Sequence, residues 1–234
     1  MRVTVAAIAF ALCAIVASNG VRAEDDYRFL RLDDNYVKWG PPLMRTGAKV
    51  RYALVTGPAQ FLGVRNCGDM NTMDRIAGAA KTDLAAVRAE IAAGFALWEA
   101  EADIAFEPAE DQNNADILIG TTVNPEGWAF TDVSYDHAGD HAGLTRTKSI
   151  KRALICVNAG KPWKIGFGGD LGIYDFRYVF AHEIGHAIGL GHSGEGGQVM
   201  SLQYGEQFRT LQGGDRAGVI ALYGRKRPPP AAVP

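Results

Sequence analysis

The chain has 234 residues, 47% of them hydrophobic and 21% charged, with a formal net charge of −2. That balance suits one globular domain with a sizeable core and excludes a disordered or fibrous chain. The weak charge supplies no long-range field for nucleic acid or an anionic membrane, so neither is expected as a partner.

Residues 1–23 differ in kind from the rest. Arg2 gives a positive start, an apolar run follows from Val3 to about Ala17, and Val21-Arg22-Ala23 resembles a cleavage site. This is the pattern of a secretory signal peptide. The run is shorter than the ~20 residues that span a bilayer. Cys13 follows Leu12, where lipid attachment would need a small residue. Cleavage removes Arg2 and Arg22 and no acid, so the balance moves from −2 to −4. The mature protein is expected to be secreted (extracellular or periplasmic), monomeric and free of membrane.

Residues 24–47 read as a short, polar, irregular segment broken by Gly40-Pro41-Pro42. Val50 to Val55 is the first expected strand of a domain spanning 48–224. Residues 57–81 hold Gly57-Pro58, Gly63, Gly68 and Gly78 and read mostly as loop. Thr82 to Glu99 is the clearest helix, with Thr82 as cap and Leu84, Val87, Ile91, Phe95 and Trp98 in one apolar stripe. Gly94 weakens that helix slightly. Short strands are expected at 103–106, 115–120 and 127–133, the last at a sheet edge. A polar loop over 134–148 precedes a buried strand, Ala153 to Asn158. A second long helix covers Asp175 to Gly189 and a third covers Gly213 to Leu222. The tail 225–234 carries four prolines and is expected to be disordered. This order is that of an α+β fold, with one parallel strand pair allowed across the 82–99 helix.

Two cysteines remain after export, Cys67 and Cys156. An exported chain most simply pairs them; two buried thiols is the plainer alternative.

The chemistry is concentrated in His182-Glu183-Ile184-Gly185-His186, followed by Gly189 and His192. Residues four apart share one face of a helix, so His182 and His186 point at one place. Imidazole is a good Zn²⁺ ligand, but two ligands do not close a shell. Gly189 can take a left-handed conformation and stop the helix, which lets His192 return as third ligand. Three protein ligands leave one open position, the mark of a catalytic site. Glu183 then sits where it can act as general base and afterwards as acid.

The full pattern H-E-x-x-H-x-x-G-x-x-H resembles the metzincin metallopeptidases. Ser193 after the last histidine looks like the matrixin branch. Val199-Met200-Ser201 resembles its Met-turn, with Met200 as a floor beneath the ligands. Tyr204 sits at matrixin spacing and is expected to shape the wall of a substrate pocket. Leu211, Asp215, Gly218 and Leu222-Tyr223-Gly224 resemble the closing helix of the branch. Phe95 to Trp98, Ala115 to Ile117 and Gly127 to Phe130 are similar to its first helix, third strand and substrate-binding edge strand. The resemblance implies a metzincin-like α+β fold: a twisted mixed β-sheet, two long helices, and a C-terminal helix after the Met-turn. It further implies one catalytic Zn²⁺ and cleavage of protein or peptide substrates. The chain looks like a minimal, bacterial-type matrixin.

Some family features are expected to be missing. Leu154 and Cys156 fall near the positions of a second, structural zinc, and no histidine precedes Gly127. His137, Asp140 and His141 are candidates for a different metal site, or a solvated loop. Asp170 and Asp175 are the calcium candidates. Arg65-Asn66-Cys67-Gly68-Asp69 is similar to the family's cysteine latch but lies after the first strand. A Cys67–Cys156 disulfide stapling the 57–81 loop to the sheet is preferred. The rival functional reading is a catalytically silent binding protein on the same fold; a zinc amidase acting on cell-wall peptides is a thinner third.

Overall fold

A computed structural model describes residues 26–122, 127–138, 146–194 and 196–226. The signal segment, Asp140, His141 and the tail beyond 226 lie outside the described residues. In chain order come β1 (Arg28–Phe29), β2 (Arg31–Leu32), β3 (Asn35–Lys38), β4 (Ala48–Leu54), β5 (Ala59–Gln60) and β6 (Asp69–Met70). Two helices follow, α1 (Asp74–Ala79) and α2 (Leu84–Glu101), then β7 (Ile104–Pro108), β8 (Ile117–Thr122), β9 (Ala129–Tyr135) and β10 (Thr147–Asn158). The remainder is β11 (Trp163–Lys164), β12 (Tyr174–Asp175), α3 (Phe176–Ala187), β13 (Leu190–Gly191) and α4 (Gly213–Tyr223).

The main sheet runs β2-β3-β10-β8-β4-β7, with β9 also on β10. Four pairs are parallel: β3 with β10, β10 with β8, β8 with β4, and β4 with β7. The sequence reading allowed for one, across α2. The long β10 accounts for most of the difference, since it pairs in parallel with β3 through residues 147–149 and with β8 through residues 153–158. It starts six residues before the expected Ala153. Its first half, TKSIKR, has no apolar run and is ordered by strand pairing instead.

Both faces of the central strands are covered, so side chains alternate between two cores. Ile117, Ile119, Ala153, Ile155 and Val157 join the main core with α2 and α3. Leu118, Leu154 and Cys156 join a smaller cluster with Val55, Cys67 and Met70. There Cys67 and Cys156 form a disulfide that fastens the 57–70 segment to the sheet.

The stripe on α2 is buried as its spacing predicts: Val87, Ile91, Phe95 and Trp98 are each at most 2% exposed. Burial of each such side chain contributes about 1.5–3 kcal/mol. Gly94 has a packing reason. A Cβ there would sit 3.1 Å from Phe180 and 3.2 Å from Ile184, so its absence lets α2 and α3 cross closely. Trp98 seals the crossing by donating its indole N–H to Ala181 O at 3.0 Å. The cap of α2 is Asp83 rather than Thr82, since its carboxylate accepts from Ala86 N at 2.7 Å.

Two segments read as irregular are structured. Residues 57–81 contain the β5–β6 hairpin and α1. Residues 26–47 contain three strands, and Val37, Lys38 and Trp39 are buried. Lys38 donates to Trp39 O, Pro41 O and Thr46 Oγ1, which fixes the following turn. Polar residues at 33, 34 and 38 hid this segment from a search for apolar periodicity.

Candidate active site

Helix α3 begins on Asp175, whose carboxylate accepts from Tyr178 N at 2.9 Å. Phe176, Phe180, Ala181, Ile184 and Ala187 are buried in the main core, which fixes the rotation of the helix. His182, Glu183 and His186 therefore face the groove beneath the edge strand β9.

The helix stops at Gly189, whose φ is +102°. A Cβ there would also lie 2.0 Å from Val37 O, so conformation and space both demand glycine. The chain then turns through β13 and brings His192 back. His186 Nε2 lies 3.1 Å from His182 Nε2 and 3.2 Å from His192 Nε2. Within the described residues this is the one group of three or more His, Cys, Asp or Glu whose ligand atoms converge, all within 4.8 Å.

The tautomers follow from the partners. His182 Nδ1 meets Val199 O at 2.6 Å and His186 Nδ1 meets Leu190 O at 2.8 Å. A carbonyl only accepts, so each Nδ1 carries the proton and each Nε2 offers a lone pair. Burial, with the neighbouring histidines, pushes His182 down to about 3; burial pushes His186 to about 4. Both imidazoles are thus neutral around pH 7. Lone pairs aimed at each other at this separation repel unless a cation lies between them. A tetrahedral zinc with bonds of ~2.0–2.1 Å sets its nitrogens about 3.3–3.4 Å apart, close to the spacing here. The donor set and the geometry fit Zn²⁺.

Glu183 is buried beside this cluster. Thr131 Oγ1, on β9, donates to its Oε2 at 2.7 Å and lies 3.0 Å from its backbone oxygen. Burial pushes the Glu183 carboxyl up to about 7, with the Thr131 bond working the other way. A bound cation would lower it further.

Met200 is buried and packs on Gly185 of α3, where a Cβ would fall 2.2 Å from its sulfur. Asp215, the N3 residue of α4, holds this turn: its carboxylate accepts from Val199 N, Met200 N and Gln212 N at 2.8–2.9 Å. Ser193 N donates to Met200 O at 2.8 Å, which ties the turn to the end of the His192 segment.

Tyr204 packs in an aromatic stack beside the start of α3. Its ring stacks on Tyr174 at 4.0 Å, and Tyr174 stacks on Trp128 at 3.9 Å. Its hydroxyl accepts from Asp175 N and donates to Glu206 Oε1. The groove runs from the three histidines along Thr131 and Val133 to Leu30, Leu32, Tyr135 and the 60–66 segment. His137 is on that wall, apart from the histidine cluster. Asp175 is not open to calcium: its oxygens accept from Tyr178 N, Gly166 N and Arg209. Asp170 Oδ1 accepts from Gly172 N. Sequence reasoning missed Thr131 altogether and gave Asp215 no role beyond its helix. The inward alternation of 129, 131, 133 and 135 was the available signal for Thr131.

The chain matches the sequence profile of the Matrixin family over residues 73–224. It is 30% identical over 135 residues to Metalloendoproteinase 1-MMP of Arabidopsis thaliana, covering 56% of this chain and 36% of the relative. It is 29% identical over 153 residues to Stromelysin-3 of Xenopus laevis, covering 63% and 30%. Over a shorter stretch of 57 residues it is 46% identical to Matrix metalloproteinase-19 of Homo sapiens, covering 23% and 11%. The chain thus spans about a third of the length of the first two relatives.

Proposed function

The chain belongs to the matrixin family, and from that premise we propose that it is an exported zinc-dependent endopeptidase. The observation that carries this is the approach of His182 Nε2 and His192 Nε2 to His186 Nε2, at 3.1 and 3.2 Å, beside a buried, hydrogen-bonded Glu183. His182, His186 and His192 hold the metal, and Met200 forms the floor under them. Zinc held there supplies Lewis acidity, acidifying a water and polarising a peptide carbonyl. Glu183 Oε2 takes the proton from the attacking water and passes it to the leaving amine nitrogen. Thr131 keeps that carboxylate aimed into the groove. A peptide adds to the edge of β9, which among the described residues pairs only with β10. Its backbone is held by strand-type hydrogen bonds and its side chains by the groove. The signal-like start and the disulfide support export, where disulfides persist. No helix among the described residues is long and apolar enough to cross a membrane.

The test is cleavage of a proteome-derived peptide library with and without chelator. Glu183→Ala should keep zinc and lose several orders of magnitude in rate. A variant that cleaves as fast as the parent would sink the mechanism. A zinc-loaded parent that cleaves nothing, yet captures one partner, would favour the silent binding protein instead.

A further inference from the structure

We infer that residues 28–39 are a working part of the metal site, a strap that positions His192 and orients His186. This segment precedes the part of the chain matched by the family profile. The inference rests on the metal reading above.

Helix α3 places His182 and His186 by its own rigidity. His192 lies outside the helix, after a two-residue strand, and needs tertiary support. The last carbonyls of an α-helix have no partner inside it. Here they are met by the strap and by α4. Trp39 Nε1 donates to Ala187 O at 2.8 Å. Tyr223 Oη donates to Ile188 O at 2.7 Å and accepts from Trp39 N at 3.0 Å. Leu30 N donates to Gly189 O at 2.8 Å. Beyond the helix, β1 pairs antiparallel with β13, Phe29 opposite Leu190 and Arg28 opposite Gly191. All five residues from 187 to 191 are thus engaged.

Two of those contacts reach the ligands. Leu190 O is the acceptor for His186 Nδ1, so the residue fixed by Phe29 also sets that ring. Gly191, fixed by Arg28, is the neighbour of His192. The strap is rooted in the main sheet, since β3 pairs with β10 from Tyr36 to Lys38. Removing groups that orient metal ligands typically costs 10- to 100-fold in metal affinity. Excision of the strap would therefore disable the site rather than activate it.

The experiment measures zinc affinity of the full chain by competition with a chromophoric chelator, together with the d–d absorption of the cobalt(II) form. Leu30→Pro deletes the N–H given to Gly189 O, and Trp39→Phe deletes the one given to Ala187 O. Each should raise the zinc Kd at least about tenfold and alter the cobalt band. Ile76→Ala, in α1, is the control: it should lower the melting temperature with Kd and cobalt band unchanged. If Leu30→Pro does not fold, Trp39→Phe decides. Parent-like affinity and spectrum in the strap variants would overturn the inference, as would an equal loss in Ile76→Ala. A parent that binds no zinc would overturn the metal reading and the inference with it, whereas zinc binding without peptide cleavage would leave the inference standing.

Discussion

Replacing Thr131 by valine exchanges the hydroxyl that steadies Glu183 for a methyl of nearly the same size. The hydroxyl has one proton and two acceptors nearby, and the shorter contact, 2.7 Å, goes to Oε2. A hydrogen bond to a charged group contributes about 1.5–3 kcal/mol. A methyl needs about 3.5 Å of clearance, so the carboxylate must also shift. If that bond is lost where Glu183 takes up the proton, kcat/KM should fall about 10- to 150-fold. The assay is cleavage of a quenched peptide, with zinc content and melting temperature measured on the same samples. Thr131→Ser, which restores the hydroxyl, should recover most of the rate. Thr131→Val with full zinc and a rate within about twofold of the parent would refute the argument. A fall in rate that tracked zinc loss would move the effect from Glu183 to the metal.

Asp215→Ala leaves three backbone N–H groups without acceptors in a pocket where the residue is 1% exposed. At about 1–3 kcal/mol for each unsatisfied group the cost is about 3–9 kcal/mol, readable in a urea melt. Removing the disulfide opens a link between residues 89 apart, worth about 4–5 kcal/mol in the loop-entropy account. A Cys67→Ser, Cys156→Ser protein melting like the parent would contradict it. For Glu206, burial works to raise the pKa, but Lys164, the Tyr204 hydroxyl and Gly169 N–H outweigh it and hold it at about 2. A depressed carboxylate stabilises the fold above its unfolded pKa of ~4.3 and loses that contribution as pH falls toward 2. Glu206→Gln should therefore be less stable than the parent at pH 6, and the gap should close by pH 2. A gap constant across that range would show that the charge is not what the network uses.

What was legible in the chain was local. The His182–His186 spacing, the stop at Gly189 and the apolar stripe of α2 each depend on residues within a few positions of one another, and the structure places them accordingly. The Cys67–Cys156 pair was readable because only two cysteines lie beyond residue 23. What escaped was non-local. Thr131 lies 52 residues from Glu183, and the alternation in GWAFTDV gives the face it lies on but not the partner its hydroxyl meets. Tyr204 sits at matrixin spacing, but spacing does not reveal the partners of its hydroxyl. Its hydroxyl is held between Asp175 and Glu206.

The N-terminal segment shows why such errors are systematic. Its sequence is polar because much of what it provides is backbone: Leu30 N–H to Gly189, the β1 pairing to β13, the close approach of Val37 O to Gly189. Backbone groups are the same in every residue, so a segment that works through them leaves little trace in composition or periodicity. A helix can present two metal ligands unaided, because its pitch fixes both. A third ligand beyond the helix end cannot be fixed that way, and the carbonyls freed by stopping the helix need donors as well. One extended strand laid across that end meets both needs. That is the physical reason for residues so far upstream to pair with the chain just before His192.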